Sequence, residues 1–249
     1  MDPLSVLQHS PLSLSEVSRR SGVSRNTLHL WLRGESQPSL ATMDKIMLVL
    51  GHQLNVQAQR LSDADAATAA RILANDLRPE LATAAVEAWM QRFADWGDAA
   101  HPRTLLSRAA WASHPYGRPG ALHFLPTNPV TVASSADASG QTWAFSGAFA
   151  QGNLQQAEAP EAKSHIPIPD TAHSTIIWCE DPAAAAPSLP SHVRQTPQPV
   201  RGGTSLVPIG AHECAHASKQ GALRFVSPTQ LAIDILAEAH QPSLGGADA

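Results

Sequence analysis

The chain has little of what stabilises small secreted proteins. Among its 249 residues only two are cysteines, Cys179 and Cys214. Two thiols make no disulfide framework, so the fold must rest on a buried apolar core, and a reducing compartment suits it. Nothing resembles a signal peptide, and no apolar run approaches the roughly 20 residues of a membrane span. The expectation is a cytoplasmic protein with no membrane partner. Aromatic residues are scarce at 5%, so Ala, Leu and Val must fill much of a core that 43% hydrophobic residues make possible. Gly202-Gly203 lacks the spacing of a phosphate loop, and no Gly-x-Ser-x-Gly elbow occurs, which removes two common designs of active site.

Against these absences stand a chain long enough for two domains and an uneven layout. The 20 prolines concentrate in the second half, where long helices are therefore not expected. Net charge is -4, yet residues 1–60 carry six basic and four acidic side chains, leaving the acidic excess to the rest. A mildly basic head on an acidic body suits a protein that meets DNA with one end only.

Residues 2–50 read as four short helices. Asp2-Pro3 opens the first. Ser13-Leu-Ser-Glu16 is a capping box for the second, which Gly22 ends. Ser24 caps the third, whose Leu28, Trp31 and Leu32 form an i, i+3, i+4 stripe, and Pro38-Ser39 starts the fourth. Residues 53–60 alternate polar and apolar, as a short strand would. Residues 64–97 look like two helices broken at Pro79, with a weaker third from Arg103 to Ala112. Beyond Pro115, strands are expected at Leu122-His-Phe-Leu, Val130-Thr-Val, Thr142-Trp-Ala-Phe, Thr175-Ile-Ile-Trp-Cys and Thr204-Ser-Leu-Val. Surface loops are expected at 155–170 and 182–203, and an amphipathic helix from Ser227. The fold class is thus α+β. An N-terminal all-α helix-turn-helix bundle spans 1–52. A helical segment and a mixed α/β domain span 60–240, and a disordered tail spans 241–249.

The segment Leu14–Gly34 has the parts a helix-turn-helix needs: a glycine at the bend, an inner apolar set (Val17, Val23, Leu28, Trp31) and a polar outer face on the second helix. Gly22-Val-Ser-Arg-Asn-Thr-Leu-His-Leu-Trp31, then Gly34, Pro38-Ser-Leu and a helix closing at Leu50-Gly51, resembles the Cro/CI (XRE) family. The family's usual Glu after the Trp is here Leu32. The resemblance implies double-stranded DNA as partner and a homodimer on two half-sites, with helix 24–33 entering the major groove. Arg25 and Asn26 would read bases, with Thr27 and His29 secondary. Ser24 would hold a phosphate at the helix N-terminus, and Arg19, Arg20 and Arg33 would contact the backbone.

The second domain supports two readings. Trp143-Ala-Phe-Ser-Gly-Ala-Phe-Ala150, the strand Ser174-Thr-Ile-Ile-Trp-Cys running into Glu180-Asp-Pro, and Arg224-Phe-Val-Ser-Pro-Thr-Gln-Leu-Ala-Ile-Asp-Ile-Leu236 together resemble the C-terminal domain of AbiEi-type antitoxins of type IV toxin–antitoxin systems. That resemblance implies a repressor of its own operon with a nucleotidyltransferase-like toxin encoded nearby. The departure is the head, since most of that family carries a winged helix. The other reading starts from His212-Glu213-Cys214-Ala215-His216, a His-Glu-x-x-His sequence. On a helix, His212 and His216 share a face and bind zinc, with Glu213 as general base. With a Cro/CI-like head this resembles ImmA/IrrE-type metallopeptidases. The flanks oppose a helix, however: Pro208 and Gly210 precede the motif and Ser218-Lys-Gln-Gly221 follows it. The expectation is a polar loop or short helix, no metal, no cofactor and no catalytic residues. The peptidase, and a non-catalytic metal site using Cys214, stand as alternatives. His165, His173 and His192 fall in separate loops and are expected to be solvated.

Overall fold

A computed structural model describes residues 2–56, 58–157 and 172–239. The chain divides into two compact units, Met1–Gln59 and Arg60–Ala249.

The first unit is four helices: α1 (Pro3–Gln8), α2 (Leu14–Ser21), α3 (Arg25–Leu32) and α4 (Leu40–Val49). Each begins at a side-chain cap. Asp2, Ser13, Ser24 and Ser39 accept from the backbone N–H of Ser5, Glu16, Thr27 and Thr42. Such caps contribute about 1 kcal/mol each, which matters for helices this short. Leu7, Val17, Val23, Leu28, Trp31, Ile46 and Met47 form the unit's core. The strand expected at 53–60 does not form among the described residues. The first unit contains no strand among the described residues, and an alternating sequence without a hydrogen-bonding neighbour has no ladder to join.

The second unit combines helices with one sheet. α5 (Ala64–Leu73), α6 (Ala84–Asp95) and α7 (Pro102–Ala112) come first. The strands are β1 (Leu122–Phe124), β2 (Trp143–Ser146), β3 (Thr175–Cys179), β4 (Gln195–Thr196), β5 (Thr204–Pro208), β6 (Ser218–Gln220) and β7 (Leu223–Phe225). They lie in the order β4-β1-β5-β3-β2-β7-β6. β3 runs parallel to β5, and β2 to β7; the other pairs are antiparallel. β3 and β2 are buried along their whole length, as befits the middle of a sheet.

Helices α8 (Pro129–Ala138), α9 (Gly147–Ala157) and α10 (Pro182–Ala185) interrupt the strands, and α11 (Pro228–Ala239) follows them. Val130-Thr-Val, expected as a strand, is the first turn of α8. Asn128 accepts from the Val130 N–H, and Pro129 sits in the first turn, where a missing N–H costs nothing. That chemistry outweighs the β-branched residues. The same device explains why a proline-rich half is helical: Pro129, Pro182 and Pro228 each stand at a helix start. α10 likewise falls inside the loop expected at 182–203. The loop expected at 155–170 and the tail at 241–249 lie largely or wholly outside the described residues.

The helix from Ser227 forms, but it is not amphipathic. Every residue from Thr229 to Ala237 is buried. Leu231 and Ile235 join the core under the sheet, with Phe145, Ile177, Trp178 and Phe225. Ala232, Ile233, Leu236 and Ala237 join a second core, with Ile72, Trp89, Phe93 and Leu106 of α5–α7. A helix buried on nearly every side belongs between two layers. The architecture is α+β, a helical head followed by a mixed helical and sheet unit.

Candidate nucleic-acid interface

The bend between α2 and α3 is built locally. Gly22 adopts φ 73 and returns its N–H to the Ser18 carbonyl, ending α2 in a left-handed turn. Only glycine takes that conformation without strain. Val23 then anchors the turn in the core, and the Ser24 hydroxyl caps α3 through the Thr27 N–H at 3.1 Å. Leu28 and Trp31 are buried, so α3 can turn only its other face outward. Ser24, Arg25, Asn26, His29 and Arg33 are exposed; the Thr27 hydroxyl lies 2.8 Å from that of Ser24.

Two contacts organise the cations around this face. The Arg25 guanidinium donates from Nη1 to the Ser15 Oγ on α2 at 2.8 Å, a bond across the helix-turn-helix. Glu16 accepts from both Arg19, at 3.0 and 2.6 Å, and Arg20, at 2.5 Å. These bonds hold the Glu16 carboxyl down at about 2. Arg33 lies 3.2 Å from Glu35. The Glu16 cluster is open to sequence reading, since carboxylate and guanidinium at i, i+3 and i, i+4 share a helix face. Ser15 is not, because its partner is ten residues away on another helix.

His212, Glu213 and His216 are not on a helix. Residues 211–216 form a turn between β5 and β6, with His216 at φ 60. Glu213 is buried and paired with Arg118, and it accepts from the N–H groups of Gly210 (3.0 Å) and Ala211 (2.9 Å). The His212 and Ala215 carbonyls accept from the buried Arg71 guanidinium, which also pairs with Asp76 at 2.5 Å. His216 Nδ1 lies 3.9 Å from Asp76. Burial pushes the Cys214 thiol up to about 12. No group of three or more His, Cys, Asp or Glu side chains among the described residues is placed to hold a metal. The structure therefore uses Glu213 as a strut for a turn. Of the other histidines, His173 lies 2.8 Å from the Arg201 guanidinium, His192 is exposed, and His165 lies outside the described residues.

The motif residues of the second unit do meet. Asp234 on α11 accepts from Ser146 Oγ (2.6 Å), Trp178 Nε1 (2.9 Å) and Gln230 Nε2 (2.9 Å). Burial raises its carboxyl to about 6, against the pull of those three donors. Ser227 caps α11 through the Gln230 N–H and donates to Asp76 at 2.8 Å. At Gly147 a side chain would bring its Cβ within 2.4 Å of the Ser174 carbonyl oxygen.

Residues 11–54 match the helix-turn-helix family model. The first unit is accordingly a helix-turn-helix DNA-binding domain of the Cro/CI type, and the chain is a DNA-binding regulator. Neither the curated proteins nor the solved structures contain a match to the chain. No helix among the described residues is long and apolar enough to cross a membrane.

Proposed function

We propose that the chain is a sequence-specific repressor that acts as a homodimer on its own operon, as an AbiEi-like antitoxin. α3 enters the major groove with Arg25 and Asn26 at base edges and Thr27 and His29 beside them. Ser24 and the adjoining amides take a phosphate at the helix N-terminus. Arg19, Arg20 and Arg33 sit on the sugar–phosphate backbone and set orientation. The carrying observation is the exposed polar face of α3, fixed by a buried Leu28 and Trp31 on its reverse.

The antitoxin part rests on a different observation. Ser146, Ser227, Gln230 and Asp234, which lie in the segments carrying the AbiEi resemblance, belong to one hydrogen-bonded centre with Trp178 and Asp76. A pattern spread over about 90 positions that closes on one point behaves as a motif and not as scattered packing. On this reading the protein binds and does not catalyse; its partners are double-stranded DNA, a second copy and a nucleotidyltransferase-like toxin.

Two assays test the proposal. The purified protein should shift its own upstream region in a gel and leave an unrelated fragment unbound at equal salt. Co-expression with an adjacent toxin-like reading frame should restore growth. Binding without rescue would leave a repressor and remove the antitoxin.

A further inference from the structure

Trp is the largest side chain and is highly buried on average. Four of the six tryptophans here are buried: Trp31, Trp89, Trp143 and Trp178. The other two, Trp96 at 57% exposure and Trp111 at 50%, border a single cavity of about 420 Å³. Among the described residues its wall is Leu61, Trp89, Trp96, Arg108, Trp111 and Ala112. These residues belong to α6, α7, the residue following α6 and the segment before α5, all in the second unit.

We infer that this cavity is a binding site for a small planar aromatic carboxylate. Its volume falls in the range of small-molecule sites, which begins near 300 Å³. Trp89 and Trp96 stand edge to face at 6.3 Å, the Arg92 guanidinium lies 4.7 Å from the Trp89 centroid, and Trp111 borders the same space, so the described walls are largely aromatic. Arg108 is the one charged side chain among the described lining residues. Its guanidinium stacks on Trp111 at 4.9 Å from the ring centroid, with 45% of the side chain open to solvent.

Asp63 and Asp98 each already engage a lining residue. Asp63 accepts from Trp89 Nε1 at 2.8 Å, which orients that ring. Asp98 is 5% exposed and reaches the Arg108 Nε at 3.5 Å, too long for a hydrogen bond. That carboxylate oxygen has no hydrogen-bond partner. Asp98 thus steadies Arg108 without engaging the rest of its fork of five donors. Aromatic walls with the Arg108 guanidinium in the lining complement a ring that carries a carboxylate, the pairing for which a planar fork is shaped.

The test uses the full chain and two probes of the same shape, 2-naphthoate and the uncharged 2-naphthalenemethanol, titrated by calorimetry and by tryptophan fluorescence. The expected result is one saturable naphthoate site per chain and at least tenfold weaker binding of the alcohol. Arg108→Gln should erase that preference, and Trp96→Ala, at an exposed position, should weaken both probes. Circular dichroism and melting of each variant show that the fold is kept. Equal binding of the two probes, or a naphthoate preference that survives Arg108→Gln, would overturn the assignment. So would absence of saturation by either probe, or self-association that Trp96→Ala abolishes, since the surface would then belong to a protein contact.

Discussion

Asp234 accepts three hydrogen bonds inside a fully buried site, and its acidity shows the cost. The folded chain holds its proton up to about pH 6, whereas an ordinary aspartate releases it near 3.8. The folded state therefore binds the proton more tightly than the unfolded one. The stability from this group is full below about pH 4 and is lost as pH rises through 6. The loss is on the order of 3 kcal/mol, since each tenfold difference in proton affinity is worth about 1.4 kcal/mol. A melting series from pH 4.5 to 7.5 should fall more steeply for the native chain than for Asp234→Asn. At pH 4.5, where the native carboxyl is itself neutral, the two should melt closer together than an unshifted aspartate would allow. On the DNA side, Arg25→Ala should cost about 1–3 kcal/mol at the cognate site and relax one base pair. Ser15→Ala should relax the same base pair to a smaller degree, because it frees the guanidinium that Ser15 now holds. Selection from a random DNA library measures both; uniform weakening on every sequence would make Arg25 a phosphate contact.

Two elements of the second unit turn on single residues. Gly147 opens α9 at φ 68 with its Cα against the Ser174 carbonyl, so Gly147→Ala must push apart β2 and the start of β3. The expected outcome is loss of cooperative near-ultraviolet melting of that unit. The turn 211–216 depends on Arg118, which holds Glu213, the Pro208 carbonyl and a face of Trp178. Removing it leaves a buried carboxylate without its counter-charge, and Arg118→Ala should destabilise by about 3–5 kcal/mol in denaturant melts. Elements set by local chemistry are legible in the sequence: the four capped helices of the head, the Pro79 break, and β1, β2, β3 and β5. Elements set by distant partners are not. β4, β6 and β7 are two or three residues long and exist because a neighbour offers an edge. At α8 two local signals conflict: Val130 and Val132 favour a strand, Asn128-Pro129 caps a helix, and the chain obeys the cap. At the DNA face the exposed residues of α3 follow from periodicity, but no spacing rule connects Ser15 to Arg25. The His-Glu-x-x-His sequence shows the converse: a literal motif whose Glu serves as a strut in a turn.

For the whole molecule, a mildly basic head and an acidic remainder lie in separate units with separate cores. Sedimentation should give a dimer, and a footprint should show two half-sites about 10 base pairs apart, one helical turn. The order of synthesis adds a consequence. The head contains its four helices and their core within residues 3–49, ahead of the second unit, so it can close while that unit is still being translated. The second unit has no such freedom. Its early helices, α5 to α7, share their core with α11, as the sheet does. Both layers must wait on the ribosome for residues 228–239. The helix-turn-helix unit is thus finished before the second unit, and α11 is the helix that locks the latter.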